Sequence, residues 1–362
     1  MSRSTAQLHG APEDRPYWIA LSLVPGVGPV GFRRIVDRYG SARAAWEAGG
    51  AILDYLPRTV PEASFGLRRL SKEGPAAAAE RVEEATRRAG GVVLTALDRA
   101  YPATLANLEP HPPVLYVRGD VGALEQTCVA IVGTRRPTGY GRATTAELTD
   151  ELARASVTIV SGLAIGIDGE AHRAAIRAGG RSVAVLPSPL TRIYPPVHRA
   201  LAAQLVESDG ALITEVPPGG PTGRPDFARR NRIIAGLSQA VVVVEAPDRS
   251  GALLTAAAAI AYERELYAVP GPIDALASRG CNRLIADQQA TIVTSVASLL
   301  QRVGATSGAH SPVAVASLSE SEALVLAVLL ERSASIEELM ARTRLETPAL
   351  ASTLTLLEAR GL

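Results

Sequence analysis

The stretch from Arg224 to Ala256 carries the residues whose chemistry can be named first. Arg224, Arg229, Arg230 and Arg232 surround a single phenyl ring, Phe227, with Asn231 among them. Guanidinium groups are planar, permanently charged and matched to phosphate oxygens. A phenyl face stacks on any base. An apolar turn, Ile233 to Leu237, follows, and then a run that reads as a buried strand, Ala240 to Val244, ending on Glu245. Ser250 and Gly251 open the next helix at Ala252. Cations, a stacking ring and a strand-end turn in one segment describe a site for a phosphate-bearing polymer, and the ring narrows this to single-stranded DNA. A plainer reading stands beside it, in which Arg229 and Arg232 form one solvated helix face. One or two of these arginines are expected to be structural, pairing with Glu215 or Glu245.

Such residues need elements to hold them. From Cys128 onward, short apolar runs alternate with helical segments: Val129–Val132, Val157–Val160, Val183–Leu186, Leu212–Thr214, Ala240–Val244 and Leu266–Val269. Continuous rather than alternating apolar strands, each followed by a helix, predict a mostly parallel sheet covered on both faces. The class is therefore α/β, an extended Rossmann-like, doubly wound sheet. In such sheets ligands bind at the carboxyl ends of the strands. The loops that collect there are Gly133-Thr134-Arg135 after the first run and Ser161-Gly162 after the second. Gly133 lets a backbone approach, Thr134 can donate to a phosphate and Arg135 brings charge. The alternative for each is an ordinary strand-to-helix turn. For Asp168 that alternative is preferred: it caps the helix carrying His172.

Other chemistries find no support. The first loop reads Gly133-Thr134-Arg135-Arg136-Pro137-Thr138-Gly139, with arginine where a dinucleotide fingerprint needs its second glycine. No P-loop is present, Lys72 being the sole lysine among 37 basic residues, and no GxSxG turn. Scattered histidines and two unclustered cysteines, Cys128 and Cys281, give no metal-ligand spacing and no disulfide frame, which fits a reducing compartment. No metal and no cofactor is expected. Net charge is +1, so any basic site is local rather than a property of the whole surface. The apolar runs fall short of the ~20 residues that cross a bilayer, and residues 1–16 lack an apolar signal core. A cytoplasmic protein with no membrane association is expected.

Three further segments complete the organisation. Residues 1–90 read as a helical module in which two short helices meet at Pro25-Gly26-Val27-Gly28-Pro29, a turn resembling the hairpin of helix-hairpin-helix modules. Residues 91–302 carry the sheet, and 303–318 are small, polar and linker-like. Residues 319–362 have a three-helix pattern similar to a winged-helix module. The chain reaches Gly361-Leu362 where a wing would begin, so a short or missing wing is expected.

In order along the chain come VAIVGTRRPTGYG, VSGLAIGIDGEAH, AVLPSPLTRIYP, ALITEVPPGGPTGRPDFARRNRIIAGLS, VVVVEAPDRSGALLTA and AVPGPIDALASRGCNRLI. Together these resemble the DNA-processing protein A (DprA/Smf) family over roughly Pro102 to Val293. The resemblance implies a non-catalytic, single-stranded DNA-binding recombination mediator that protects incoming strands in natural transformation and loads the RecA recombinase. It also implies a homodimer and a site of Gly133, Thr134, Arg135, Ser161, Gly162, Arg224, Phe227, Arg230, Asn231 and Arg232, with Ser250 and Gly251 nearby. The chain departs from the family pattern at Pro187-Ser188-Pro189, where a glycine-rich turn is usual, at Ile165, where arginine is common, and at Ala286 to Ala290. The competing class is an enzyme, a nucleotide phosphoribohydrolase of the lysine-decarboxylase-like family. Its PGGxGTxxE motif has an echo in Pro218-Gly219-Gly220-Pro221-Thr222, but no glutamate occupies the catalytic position.

Overall fold

The structure is a computed structural model that describes residues 11–56, 62–305, 319–331 and 334–359. Most of the expected linker lies outside these residues, as do residues 1–10 and the wing position at Gly361-Leu362. The chain divides into two compact units, Met1–Ser307 and Gly308–Leu362.

The first unit is built on a sheet of nine strands: β1 (Gly91–Thr95), β2 (Val114–Gly119), β3 (Cys128–Val132), β4 (Thr158–Ser161), β5 (Ser182–Val185), β6 (Ala211–Thr214), β7 (Ala240–Val243), β8 (Glu265–Ala268) and β9 (Thr291–Ile292). Their order is β1-β2-β6-β5-β4-β3-β7-β8-β9. The pairs from β6 through β9 are parallel, whereas β1–β2 and β2–β6 are antiparallel. Every residue of β3 to β7 is buried, as the unbroken apolar runs require of strands covered on both faces. The two-residue β9 is exposed and has no apolar run to announce it.

Chain order fixes where a ligand can enter. From β3 the chain steps to β4, β5 and β6 on one side, then returns through helix Arg224–Leu237 to β7 on the other side of β3. The order reverses at β3, and the loops leaving neighbouring strands part there, which opens a crevice at the carboxyl ends. The returning helix spans the sheet and buries Ile233, Ile234 and Leu237. Gly236 on it has no room for a Cβ, since Leu108 Cδ1 would lie 2.3 Å away.

The N-terminal helices, among them Arg15–Ser22, Pro29–Tyr39, Glu62–Glu73 and Pro75–Arg88, pack into the same unit. Trp18 is the seam: it lies 4.8 Å from Phe32 and stacks on His111 at 6.1 Å between ring centroids. Arg15 adds bonds from Nε to Asp98 at 3.1 Å and from Nη2 to the Val93 carbonyl at 2.9 Å. Within the second unit, helices Glu320–Glu331, Ile336–Thr343 and Thr347–Ala359 bury Val325, Val328, Leu339, Leu350 and Leu357 among themselves. Ser335 caps the middle helix, its hydroxyl accepting from Glu338 N at 3.3 Å.

Candidate nucleic-acid interface

The crevice forms because three strand-end loops are stitched together by backbone bonds. After β3, Thr134 N donates to the Glu245 carbonyl at 2.6 Å. Ile167 N in turn donates to the Thr134 carbonyl at 3.2 Å, tying in the loop after β4. The approach is too close for side chains. Gly166 has φ +90°, and a Cβ there would lie 2.3 Å from the Thr134 oxygen. A Cβ on Gly133 would meet Ile167 Cγ1 at 2.5 Å. Gly133 thus serves packing between loops.

Glu245 was expected to orient arginines, and the structure corrects this. Its carboxylate accepts from Thr138 N at 2.9 Å and from Thr138 Oγ1 at 2.6 Å, buried at the start of helix Gly139–Arg154. It clamps the loop that presents Arg135. Glu215 does pair with an arginine, but with Arg232 on the side of the helix away from the crevice.

Arg230 is buried, 7% exposed. Its Nη1 donates to the Val185 carbonyl at 2.8 Å and also to the Gly162 carbonyl, and Nε donates to Asn231 Oδ1 at 3.0 Å. Burial pulls its pKa down to about 10, with Asp168 opposing that shift and Arg135 adding to it. It therefore keeps its charge at neutral pH. Asp168 Oδ2 accepts from Gly162 N at 3.1 Å and Ala164 N at 3.4 Å, while burial pushes its carboxyl up against the pull of Arg230. Asp168 thus shapes the loop after β4, beyond capping a helix. A Cβ on Gly162 would sit 2.0 Å from Arg230 Nη1, so this glycine makes room for the guanidinium.

A cavity of about 500 Å³ lies above these groups. Its wall brings together Gly133, Thr134, Arg135, Arg224, Phe227, Arg230, Asn231, Ser250 and Gly251 from the expected set. Gly162 lines a smaller adjoining cavity of about 50 Å³ shared with Arg135, Phe227 and Arg230. Two expected residues stand apart. Ser161 is fully buried, its hydroxyl donating to the Ile131 carbonyl at 2.7 Å across the sheet. Arg232 is committed to Glu215. The physical reason is shared: strand alternation turns Ser161 inward, and helical rotation turns Arg232 away from Phe227.

Among the described residues, Arg135, Arg224 and Arg249 carry no ion pair and are exposed at the crevice. Arg249 was missed, although it stands directly before the Ser250-Gly251 turn. Phe227 packs edge-on against Tyr194, ring centroids 5.3 Å apart, and Tyr194 is 46% exposed. Nothing local in the sequence brings Tyr194 to Phe227; the chain path around β5 does. Asn231 Nδ2 donates to the Gly251 carbonyl at 3.2 Å and holds the turn after β7 against the helix. No cluster of residues that could hold a metal ion occurs among the described residues, and no described helix is long and apolar enough to cross a membrane.

Residues 92–304 match the family model of DNA recombination-mediator protein A, and residues 12–80 that of a DprA-like N-terminal HHH domain. Protein Smf of Synechocystis is 37% identical over 303 residues, covering 82% of this chain and 74% of the relative. The crystal structure of DNA processing protein A from Streptococcus pneumoniae superposes with a TM-score of 0.66 at 29% identity, over 83% of this chain and 98% of that one. A Helicobacter pylori structure, described by its single-stranded DNA binding mode, aligns with a TM-score of 0.52 at 30% identity, over 58% of this chain and 94% of that one.

Proposed function

This chain belongs to the DNA recombination-mediator protein A family, and we propose that it binds single-stranded DNA in the crevice above β3 and β7 as a recombination mediator in natural transformation. One observation carries the reading: Arg135, Arg224 and Arg249, each without an ion pair among the described residues, converge with Phe227 on one cavity at the point where the strand order reverses. The arginines hold phosphates, and Phe227 and Tyr194 offer faces to bases. Nothing in such a site reads base edges, so binding is tolerant of sequence and sensitive to salt.

The function is non-catalytic. The Pro218–Thr222 stretch that echoes the phosphoribohydrolase motif lies in the loop before helix Arg224–Leu237, and Pro221 and Thr222 face a different cavity from the crevice. We place the protein in the cytoplasm, as a homodimer that hands its strand to RecA. The buried free thiols of Cys128 and Cys281 suit that compartment.

The test is fluorescence anisotropy with poly-dT and with duplex DNA across a salt series. Tight poly-dT binding that weakens as salt rises, with duplex bound far less, is expected. Undetectable poly-dT binding at low salt defeats the proposal, and release of base from a nucleoside monophosphate favours the enzyme. RecA filament formation on DNA coated with a single-strand binding protein, and light scattering for mass, check the loading and dimer parts.

A further inference from the structure

A second cavity, about 630 Å³, lies along the same edge of the sheet. One wall is the Ser22–Pro29 turn of the N-terminal module. The others are the loop after β6, the start of β2 and the first turns of helix Arg224–Leu237. It adjoins the crevice: Arg230 and Pro187 line both this cavity and the small one beside Phe227. Both large cavities fall in the size range that holds small ligands, roughly 300–1,000 Å³.

The groove is built in advance. Pro25 is pressed from behind by helix Glu62–Glu73, where a Cβ on Gly66 would lie 2.3 Å from Pro25 Cδ. On the opposite wall Gly223 N donates to Asp226 Oδ2 at 2.7 Å, fixing the entry to the helix.

Its chemistry differs from that of the crevice. Val24, Pro25, Val27, Val216, Pro221 and Pro225 give it apolar walls. Its charges are already matched: Glu215 pairs with Arg232, and Asp226 with Arg229 at 3.4 Å. The Gly28 amide donates to the Gly26 carbonyl at 3.0 Å inside the turn, so it does not point out to take a phosphate. Arg230 alone reaches in from the crevice, and it is bonded to two carbonyls. An uncharged group with an apolar face, such as a base, suits these walls; a phosphate does not.

We propose that this groove between the N-terminal turn and the β6 loop receives the bases of the same DNA strand as it leaves the crevice, making the N-terminal module part of the single-strand binding site. The inference rests on the crevice reading above. The crevice fixes backbone charge; the groove adds contact with bases at no cost in phosphate repulsion.

The test measures affinity for oligo-dT of about 4 and about 16 nucleotides, the span of single-strand site sizes. On the unmodified protein the longer oligomer binds about 10-fold or more tightly, since only it reaches the groove and burying roughly 60 Å² of base face against apolar walls is worth about that factor. A long oligomer with abasic residues through one half keeps its phosphates and falls to the affinity of the short one, for one half only. Val216→Trp, which fills the groove, brings the long oligomer down to the short and leaves the short unchanged. If the abasic oligomer binds as tightly as the intact one, or Val216→Trp leaves the ratio of long to short as it was, the groove proposal is overturned while the crevice stands. If neither oligomer binds the unmodified protein, the crevice reading fails and takes the groove with it.

Discussion

Arginines that look alike in sequence do different work in this site. Arg135 is exposed with no ion pair among the described residues, while Arg230 is buried against two carbonyls. Arg135→Ala should therefore weaken poly-dT binding and leave the melting temperature unchanged. Its salt slope should be shallower by about 0.7, because one phosphate fewer is neutralised. Phe227→Ala should cost about 1–3 kcal/mol of binding per base it stacks, read by anisotropy. Arg230→Ala should behave differently. It strands the Gly162 and Val185 carbonyls and leaves Asp168 without its counter-charge, so about 1–3 kcal/mol of stability should go as well. Denaturant unfolding checks this: an unchanged midpoint would show that Arg230 is not structural. The bonds of Arg230 to two carbonyls thus set it apart from Arg135 and Phe227, whose loss is expected to act on binding alone.

Among elements, the three loops at the carboxyl edge act as one because their backbones touch. Gly166 shows this best. Its φ of +90° and the 2.3 Å from its Cβ position to the Thr134 oxygen leave no place for a side chain. Gly166→Ala should destabilise the fold by about 1–3 kcal/mol and displace Arg135, so poly-dT affinity falls even though residue 166 carries no charge. A variant with normal stability and affinity would disprove the coupling. The six apolar runs predicted from sequence all appear as parallel strands, because their burial on both faces leaves an unbroken pattern. The antiparallel pairing of β1 and β2 was not legible, since a pair's direction depends on the chain path between strands and not on the residues in them.

At the level of the molecule, charge and burial set how the protein responds to its solvent. Arg135, Arg224 and Arg249 together predict a slope of log affinity against log salt of about −2, at roughly 0.7 per phosphate on a single strand. Acid should act through His172. This side chain is fully buried; Ser182 Oγ donates to the Ile159 carbonyl at 3.0 Å, so it accepts from His172 Nδ1 at 2.8 Å. Nε2 has no partner, and a proton placed there would be stranded. Burial accordingly lowers the pKa from 6.5 to about 3, with neighbouring positive charges adding to the shift. The folded state then binds fewer protons than the unfolded one below pH 6.5. Stability should be unaffected by this group above that pH, and should fall on acidification by up to about 1.4 kcal/mol per pH unit, levelling off once the pH is below the folded value. Chemical denaturation of the protein and of His172→Gln between neutral pH and pH ~4 reads the difference in slope; parallel curves would refute it.

What the sequence determined by itself was the parallel core of the sheet, its loops and the neighbourhood of the crevice. Apolar runs, glycines after strands and arginines beside Phe227 are local patterns, and local patterns survive in a single chain of letters. Tertiary structure decided which groups face the crevice. It turned Ser161 into the core and Arg232 toward Glu215, gave Glu245 to Thr138, brought Tyr194 to Phe227 and laid the N-terminal turn beside the β6 loop. Each of these depends on the rotation of an element about its own axis, or on which distant segment packs against it. Both are set by the packing of the whole unit, and no stretch of sequence contains them.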